Sequence, residues 1–369
     1  MNSPSVPGPG VFKQLWIPLA LSLSLAAVST AQAAGSLRFQ QRNLVSDGSI
    51  AAAHVDPHLV NAWGVAFNPY GFVWVADADG HVSTLYDGDG NVQSLVVQIP
   101  EPDAATGGEP TGIVFNGSDN FVVSQGGVSG PSRFMFATEG GVIAGWAPNV
   151  DLTHAILAVD GSGNGANYKG LALSADGSTQ LIYATDFHNA RVDVFDRNFH
   201  PVALAAGAFH DAGIPSGFAP FGIQAIGGDI YVTYAKQDAS QSDEVTGPGL
   251  GYVDVYTPNG RLIRRIATRG ALNAPWGIAL APAKFGRFSN ALLIGNFGDG
   301  RINAYEPVFG FPMGSLRGKD YRPISIDGLW GMQFGNGLNN QPVNTLFFAA
   351  GPDDEEHGLY GRLDVYPGP

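Results

Sequence analysis

The chain has 369 residues, 44% of them hydrophobic and 11% aromatic, with 51 Gly, 25 Pro and no Cys. That much apolar side chain with only 14% charged residues excludes a disordered chain, and the missing thiols exclude disulfides, thiol catalysis and thiolate metal sites. A formal net charge of −13 argues against nucleic acid and anionic membranes, which need a basic footprint.

Residues 1–33 read as a signal peptide. Lys13 is the only charge before residue 34, LWIPLALSLSLAAVS (Leu15 to Ser29) is an apolar run of signal length, and AQA (Ala31 to Ala33) fits a small-x-small cleavage site. The run is short and interrupted by Pro18, which disfavours a membrane span; the alternative is an uncleaved inner-membrane anchor. Residues 34–369 are expected to form one exported domain, periplasmic or extracellular, monomeric, with no stable membrane span.

LRFQQRNLV (Leu37 to Val45) comes next and has no neighbouring strand to pair with. A repeat then begins. Six glycines, Gly64, Gly112, Gly170, Gly222, Gly277 and Gly331, each open a short apolar alternation: GVAF, GIVF, GLAL, GIQAI, GIAL and GMQF. A second apolar strand follows each: VWVAD, FVVSQ, LIYATD, IYVTYA, LLIGNF and TLFFAAG. A third often ends on an aromatic before a turn, as in STLYDGDG and RVDVFDRN, and most units add a fourth. Period-two alternation bounded by Gly, Pro, Asn and Asp marks strands. Four short strands per unit of about 50 residues mark the blade of a propeller. The sixth unit stops after its third strand, at LDVYPGP, so Leu37 to Val45 is predicted to complete it and close the ring. The fold class is therefore all-β, a six-bladed β-propeller with four-stranded blades. The opening glycines let six innermost strands crowd the axis.

This organisation resembles the NHL-repeat and gluconolactonase-type six-bladed propellers. More closely, NLVSDG, TLYDGDG, SGPSRFMFATEGG, YVTYAKQD, LAPAKFG, NFGDGRINAY and DGLWGMQFGNG are similar to an exported bacterial six-bladed propeller family of uncharacterised function, over Asn43 to Tyr366. The resemblance implies a fold and an export route and brings no reaction. Gluconolactonase-type propellers hold a divalent cation at the channel mouth, but their ligand pattern does not map onto this chain residue by residue.

Function is expected where the loops leading into the first strands meet those joining the second and third strands, at one end of the channel. Ca²⁺ seeks about 6–8 oxygen ligands, and that end offers Asp77, Glu109, Asp186 and Asn296 as candidate metal ligands. Asp79, Gln125, His188, Asp238, Asp299, Asp353 and Asp354 lie nearby in the pattern, with Asn61, Asn167 and Asn273. Such Asx residues also brace turns. The residues before the six glycines are Trp63, Thr111, Lys169, Phe221, Trp276 and Trp330. Trp63, Lys169, Phe221, Trp276 and Trp330 are candidate ligand-binding residues: four aromatics and one cation suit a small neutral or anionic ligand. The alternatives are that the aromatics are core and that Lys169 is solvated or ion-paired; neither Lys169 nor Asp186 is expected to be core. DDEEH (Asp353 to His357) reads as a solvated acidic loop or a cation site, DGDGN (Asp87 to Asn91) as a hairpin turn, and His54 with His58 as weak metal signals.

No G-x-S-x-G, H-E-x-x-H or P-loop motif occurs. Two functions remain open: an extracytoplasmic binding or scaffolding module that takes a small ligand or a protein, and a metal-dependent lactonase or esterase using a cation such as Ca²⁺.

Overall fold

A computed structural model describes residues 1–4 and 38–366. The chain divides into two units, Met1–Ala34 and Gly35–Pro369. The signal segment expected at 1–33 lies almost wholly outside the described residues, as does Leu37. Among the described residues no helix is long and apolar enough to cross a membrane.

Gly35–Pro369 is a six-bladed β-propeller. Lettering the strands a to d outward from the axis, the innermost are Ala62–Phe67, Pro110–Phe115, Tyr168–Asp176, Phe218–Ile226, Pro275–Leu280 and Leu329–Phe334. Each packs against the next, and the sixth against the first. A Cβ on Gly222 would lie 2.0 Å from the Trp276 carbonyl oxygen, and one on Gly331 would lie 2.4 Å from that of Trp63. No side chain fits between strands that close.

Blade six closes as the missing strand required. Arg38–Ser46 pairs antiparallel with Leu359–Tyr366, from Arg38 opposite Tyr366 to Ser46 opposite Leu359. Apolar side chains between adjacent blades form six clusters, including Trp74, Phe134 and Trp146 between blades one and two. A seventh cluster sits on the axis.

Blade two corrects one strand assignment. FVVSQ is not its second strand: Val122–Gln125 forms a separate hairpin with Val128–Pro131. The second strand is Phe134–Thr138, paired to Pro110–Phe115. FVVSQ has the strand composition but follows its own strand a too closely to be told from an inserted hairpin. Blade three departs differently, with three regular strands: Tyr168–Asp176, Thr179–Asp186 and Arg191–Asp196.

Candidate functional site

Two rings of positions line the mouth of the channel. The first is the residue before each glycine. The second is the residue just past strand b, namely Ala78, Glu139, Phe187, Phe297 and Gly351, joined in blade four by Ala235, which holds the same register inside a longer strand b, Asp229–Gln237. Trp63, Phe221, Trp276 and Trp330 from the first ring pack with Ala78, Phe187, Ala235 and Phe297 from the second. Trp63 stacks on Trp330 with centroids 3.6 Å apart, Phe297 stacks on the same indole at 4.2 Å, and Phe221 and Trp276 meet it edge-on. The four aromatics thus form a packed plug across the axis.

Blades two and three break the apolar pattern. Lys169 is 1% exposed, so the expectation that it lies outside the core is corrected, and so is that for Asp186, at 0%. The Lys169 ammonium donates to Glu139 and, at 3.2 Å, to Asp243, and it lies over the Trp63 ring at 5.2 Å. Its carbonyl accepts the Trp276 indole N–H at 2.9 Å. Glu139 occupies the position that is Ala78 in blade one and Phe187 in blade three. The reassigned strand b of blade two is what brings it there.

Further carboxylates reach the same lysine from other blades. The long loop of blade four folds back so that Glu244–Val245 pairs with Lys236 and Gln237, which carries Asp243 and Glu244 to the mouth. In blade six, Asp353, Asp354 and Glu355 take φ values of 59°, 50° and 70°, three successive residues in the left-handed region. Such backbone costs energy for side chains of this kind and persists where surrounding structure imposes it. The turn presents Glu355 to Glu244 and Lys169. Glu109 and Asp79 complete the group from blades two and one.

The charges do not balance. Burial, opposed by Lys169, pushes the Glu244 carboxyl up to about 7. Burial and repulsion from Glu244 push Glu355 up to about 8. Burial and neighbouring carboxylates also raise Glu109 and Asp79. Burial lowers the Lys169 pKa, yet Glu139, Glu244 and Asp243 together hold it above the ordinary lysine value. The Glu355 Oε1, Asn167 Oδ1, His81 Nδ1 and Trp330 Nε1 atoms are buried with no hydrogen-bond partner. Native proteins rarely leave such atoms unsatisfied.

The other candidates sit off this centre. Asp77 accepts from Thr84 at 2.8 Å within blade one, and burial holds its carboxyl well above the usual range. Asp186 accepts from Asn167 N–H and Asn189 and pairs with Arg191. Asn296 donates to the Ala271 carbonyl and to Asp299. Of the four candidate metal ligands, only Glu109 belongs to the group around Lys169. Asp87 accepts the Asp89 and Asn91 N–H groups and so braces its hairpin. Among the described residues no three His, Asp or Glu side chains converge closely enough to hold a metal ion. Glu139, Asp243 and Glu244 were not singled out in the sequence, and Glu355 was seen only as part of DDEEH. The alignment of FMFATEGG with VWVADADG would have found Glu139.

No protein-family model matches the chain. It is 33% identical over 329 residues to "Uncharacterized protein R648" of Acanthamoeba polyphaga mimivirus, covering 87% of this chain and 78% of that one. The chain belongs to that protein's family. A second member, "Uncharacterized protein L690" of the same virus, is 31% identical and covers 87% of this chain and 84% of its own. Among solved structures, a glucose dehydrogenase superposes with a TM-score of 0.53 at 11% identity, over 89% of this chain and 100% of that one. At that identity the likeness concerns the fold alone.

Proposed function

We propose that this propeller is an exported binding module whose mouth takes a small organic cation bearing an amine or a guanidine. One observation carries the reading: Glu109, Glu139, Asp243, Glu244 and Glu355, from three blades, surround one buried cation, Lys169, which Glu139 and Asp243 already neutralise, and Asp79 of a fourth blade adds its charge beside Glu139 and Glu109. A small anion, the ligand suggested by an open aromatic cup, would meet this carboxylate excess. An ammonium has three donors for unsatisfied acceptors such as Glu355 Oε1. A metal ion fits less well, because among the described residues no three His, Asp or Glu side chains converge closely enough to hold one. Export rests on the apolar run Leu15 to Ser29 and the AQA motif.

A second reading, a hydrolase of lactone or ester type, draws on Glu244 and Glu355, which titrate near neutrality as acid–base groups do. The residues present do not fit the metal that such a reaction would use in the gluconolactonase-type propellers.

Thermal melting in putrescine, spermidine, arginine, CaCl₂, gluconate and gluconolactone separates these readings. A bound cation stabilises by mass action, about 2.7 kcal/mol at a hundredfold excess over its dissociation constant. The expected result is a shift with the organic cations that is lost in Glu355→Gln and Glu244→Gln. Stabilisation by gluconate alone, or equal shifts in all three proteins, would remove the proposal, and a shift with CaCl₂ alone would favour the hydrolase.

A further inference from the structure

The channel has a second end. Past each opening glycine the innermost strand runs away from the mouth. The residues one past the glycines, Val65, Ile113, Leu171, Ile223, Ile278 and Met332, ring a neck of about 30 Å³ against Trp276 of the aromatic plug. Such a volume holds little more than a water molecule. Adjoining the neck, the channel widens into a well of about 290 Å³, lined from blades one, two, three, four and six. No described residue that lines it is charged. The plug and the neck part this well from the acidic mouth, with which it shares no residue.

Blade four breaks the repeat inside the well. Two past the glycine the six blades carry Ala66, Val114, Ala172, Gln224, Ala279 and Gln333. Three past it they carry Phe67, Phe115, Leu173, Ala225, Leu280 and Phe334. Five blades therefore place a bulky residue at the second of these positions, and blade four places an alanine there, next to a glutamine. The two glutamines stand in different states. Gln333 Oε1 accepts the Phe67 N–H at 3.1 Å, which ties blade six to blade one and leaves its amide NH₂ unused. No described residue hydrogen-bonds the Gln224 carboxamide, so a donor and an acceptor sit side by side in a wall that is otherwise apolar. At the rim, Tyr70 is 84% exposed and meets the Phe115 ring edge-on.

We infer that this well binds a small neutral molecule that carries a cis-amide on an apolar body, a lactam or a cyclic dipeptide. A cis-amide presents its N–H and its carbonyl side by side, as a carboxamide does, so the Gln224 side chain pairs with it through two hydrogen bonds. The Gln333 NH₂ donates to the second carbonyl of a cyclic dipeptide. The space that Ala225 leaves, walled by Ile113, Phe115 and Leu173, takes the apolar body. An ion is excluded, because no charge in the lining offsets its desolvation. A mostly apolar pocket with a few placed polar groups is the common form of a small-molecule site, and about 300 Å³ is its lower size, which limits the ligand to roughly one or two residues.

The test is calorimetric titration of cyclo(Leu-Pro) and of ε-caprolactam into the full chain, each beside its N-methylated form, which keeps the apolar body and loses the donor. Gln224→Ala and Ala225→Leu give blade four the pair that blade five already holds at Ala279 and Leu280, so both variants suit the fold. Expected are binding of both amides to the wild type, a loss of about tenfold or more in Gln224→Ala and on N-methylation, and no binding in Ala225→Leu, whose side chain fills the gap. Glu355→Gln, at the other end of the channel, should leave the affinity unchanged. The inference is overturned if neither amide binds the wild type at millimolar concentration, if N-methylation leaves the affinity unchanged, or if both blade-four variants bind as the wild type does. It is also overturned if Glu355→Gln abolishes binding, since the amides would then sit in the acidic mouth.

Discussion

The axial lining has an aromatic half and a charged half built on the same repeat positions. Trp63, Phe221, Trp276 and Trp330 fill the position before the glycine in four blades, and Lys169 fills it in blade three. Phe187 and Phe297 follow strand b in blades three and five, and Glu139 follows it in blade two. The backbone frame is common, so side-chain chemistry alone makes one half a plug and the other an electrostatic centre. The aromatic half draws its stability from burial and stacking, which pH does not touch. The charged half depends on how many of its carboxylates carry protons.

Removing the central ring of the plug, by Trp330→Ala, is expected to cost about 3–5 kcal/mol. The loss should be nearly the same at pH 5 and pH 8 in denaturant titrations. A strongly pH-dependent loss would merge the two halves into one electrostatic unit.

Lys169→Met is expected to cost about 3 kcal/mol near pH 8, because it leaves buried carboxylates without their cation. Here the loss should shrink towards pH 5, where the raised carboxyls of Glu244 and Glu355 hold their protons without help. A constant defect across that range would reduce Lys169 to a packing residue.

Glu355→Gln acts in the opposite direction. The folded-state pKa of about 8 lies above the ordinary glutamate value of 4.5, so between those values the folded state binds more protons than the unfolded chain. Wild-type stability therefore falls as pH rises through that window. The variant cannot ionise at this position, so it should be more stable by on the order of 1 kcal/mol at pH 8 and nearly unchanged below pH 5. Equal stabilities at pH 8 would place the Glu355 carboxyl in solvent.

Much of this molecule was legible in advance. The six glycines and the incomplete last unit led to the ring and to the strand that closes it, because close backbone approach at the axis tolerates no other residue. Lys169 stood out as the one charge among aromatics at its repeat position. The carboxylates around it were harder to read. Glu139 was hidden by the inserted hairpin Val122–Pro131, which imitates a strand b. Glu244 and Glu355 lie in long loops, and a sequence does not say that one folds back as a strand extension or that the other makes a left-handed turn.

The smallest expected effect is that of Asp77→Asn. Burial pushes this carboxyl well above the usual carboxylate range, and Thr84 is its hydrogen-bond partner within blade one. Melting within about a degree of wild type and unchanged cation shifts are expected, since an amide of the same shape can still accept from Thr84 and Asp77 is not part of the group around Lys169. A loss of cation response would bring Asp77 into the charged half.

Calorimetric titration of spermidine into the full chain at pH 7, in two buffers of different ionisation enthalpy, addresses the charged mouth most directly. A cation docking beside Glu244 and Glu355 lowers their raised pKa values, so binding must release protons, and the apparent enthalpy must differ between the buffers. The account predicts that proton release and its disappearance in Glu355→Gln. Absence of binding, or binding with the same enthalpy in both buffers and in the variant, would contradict it.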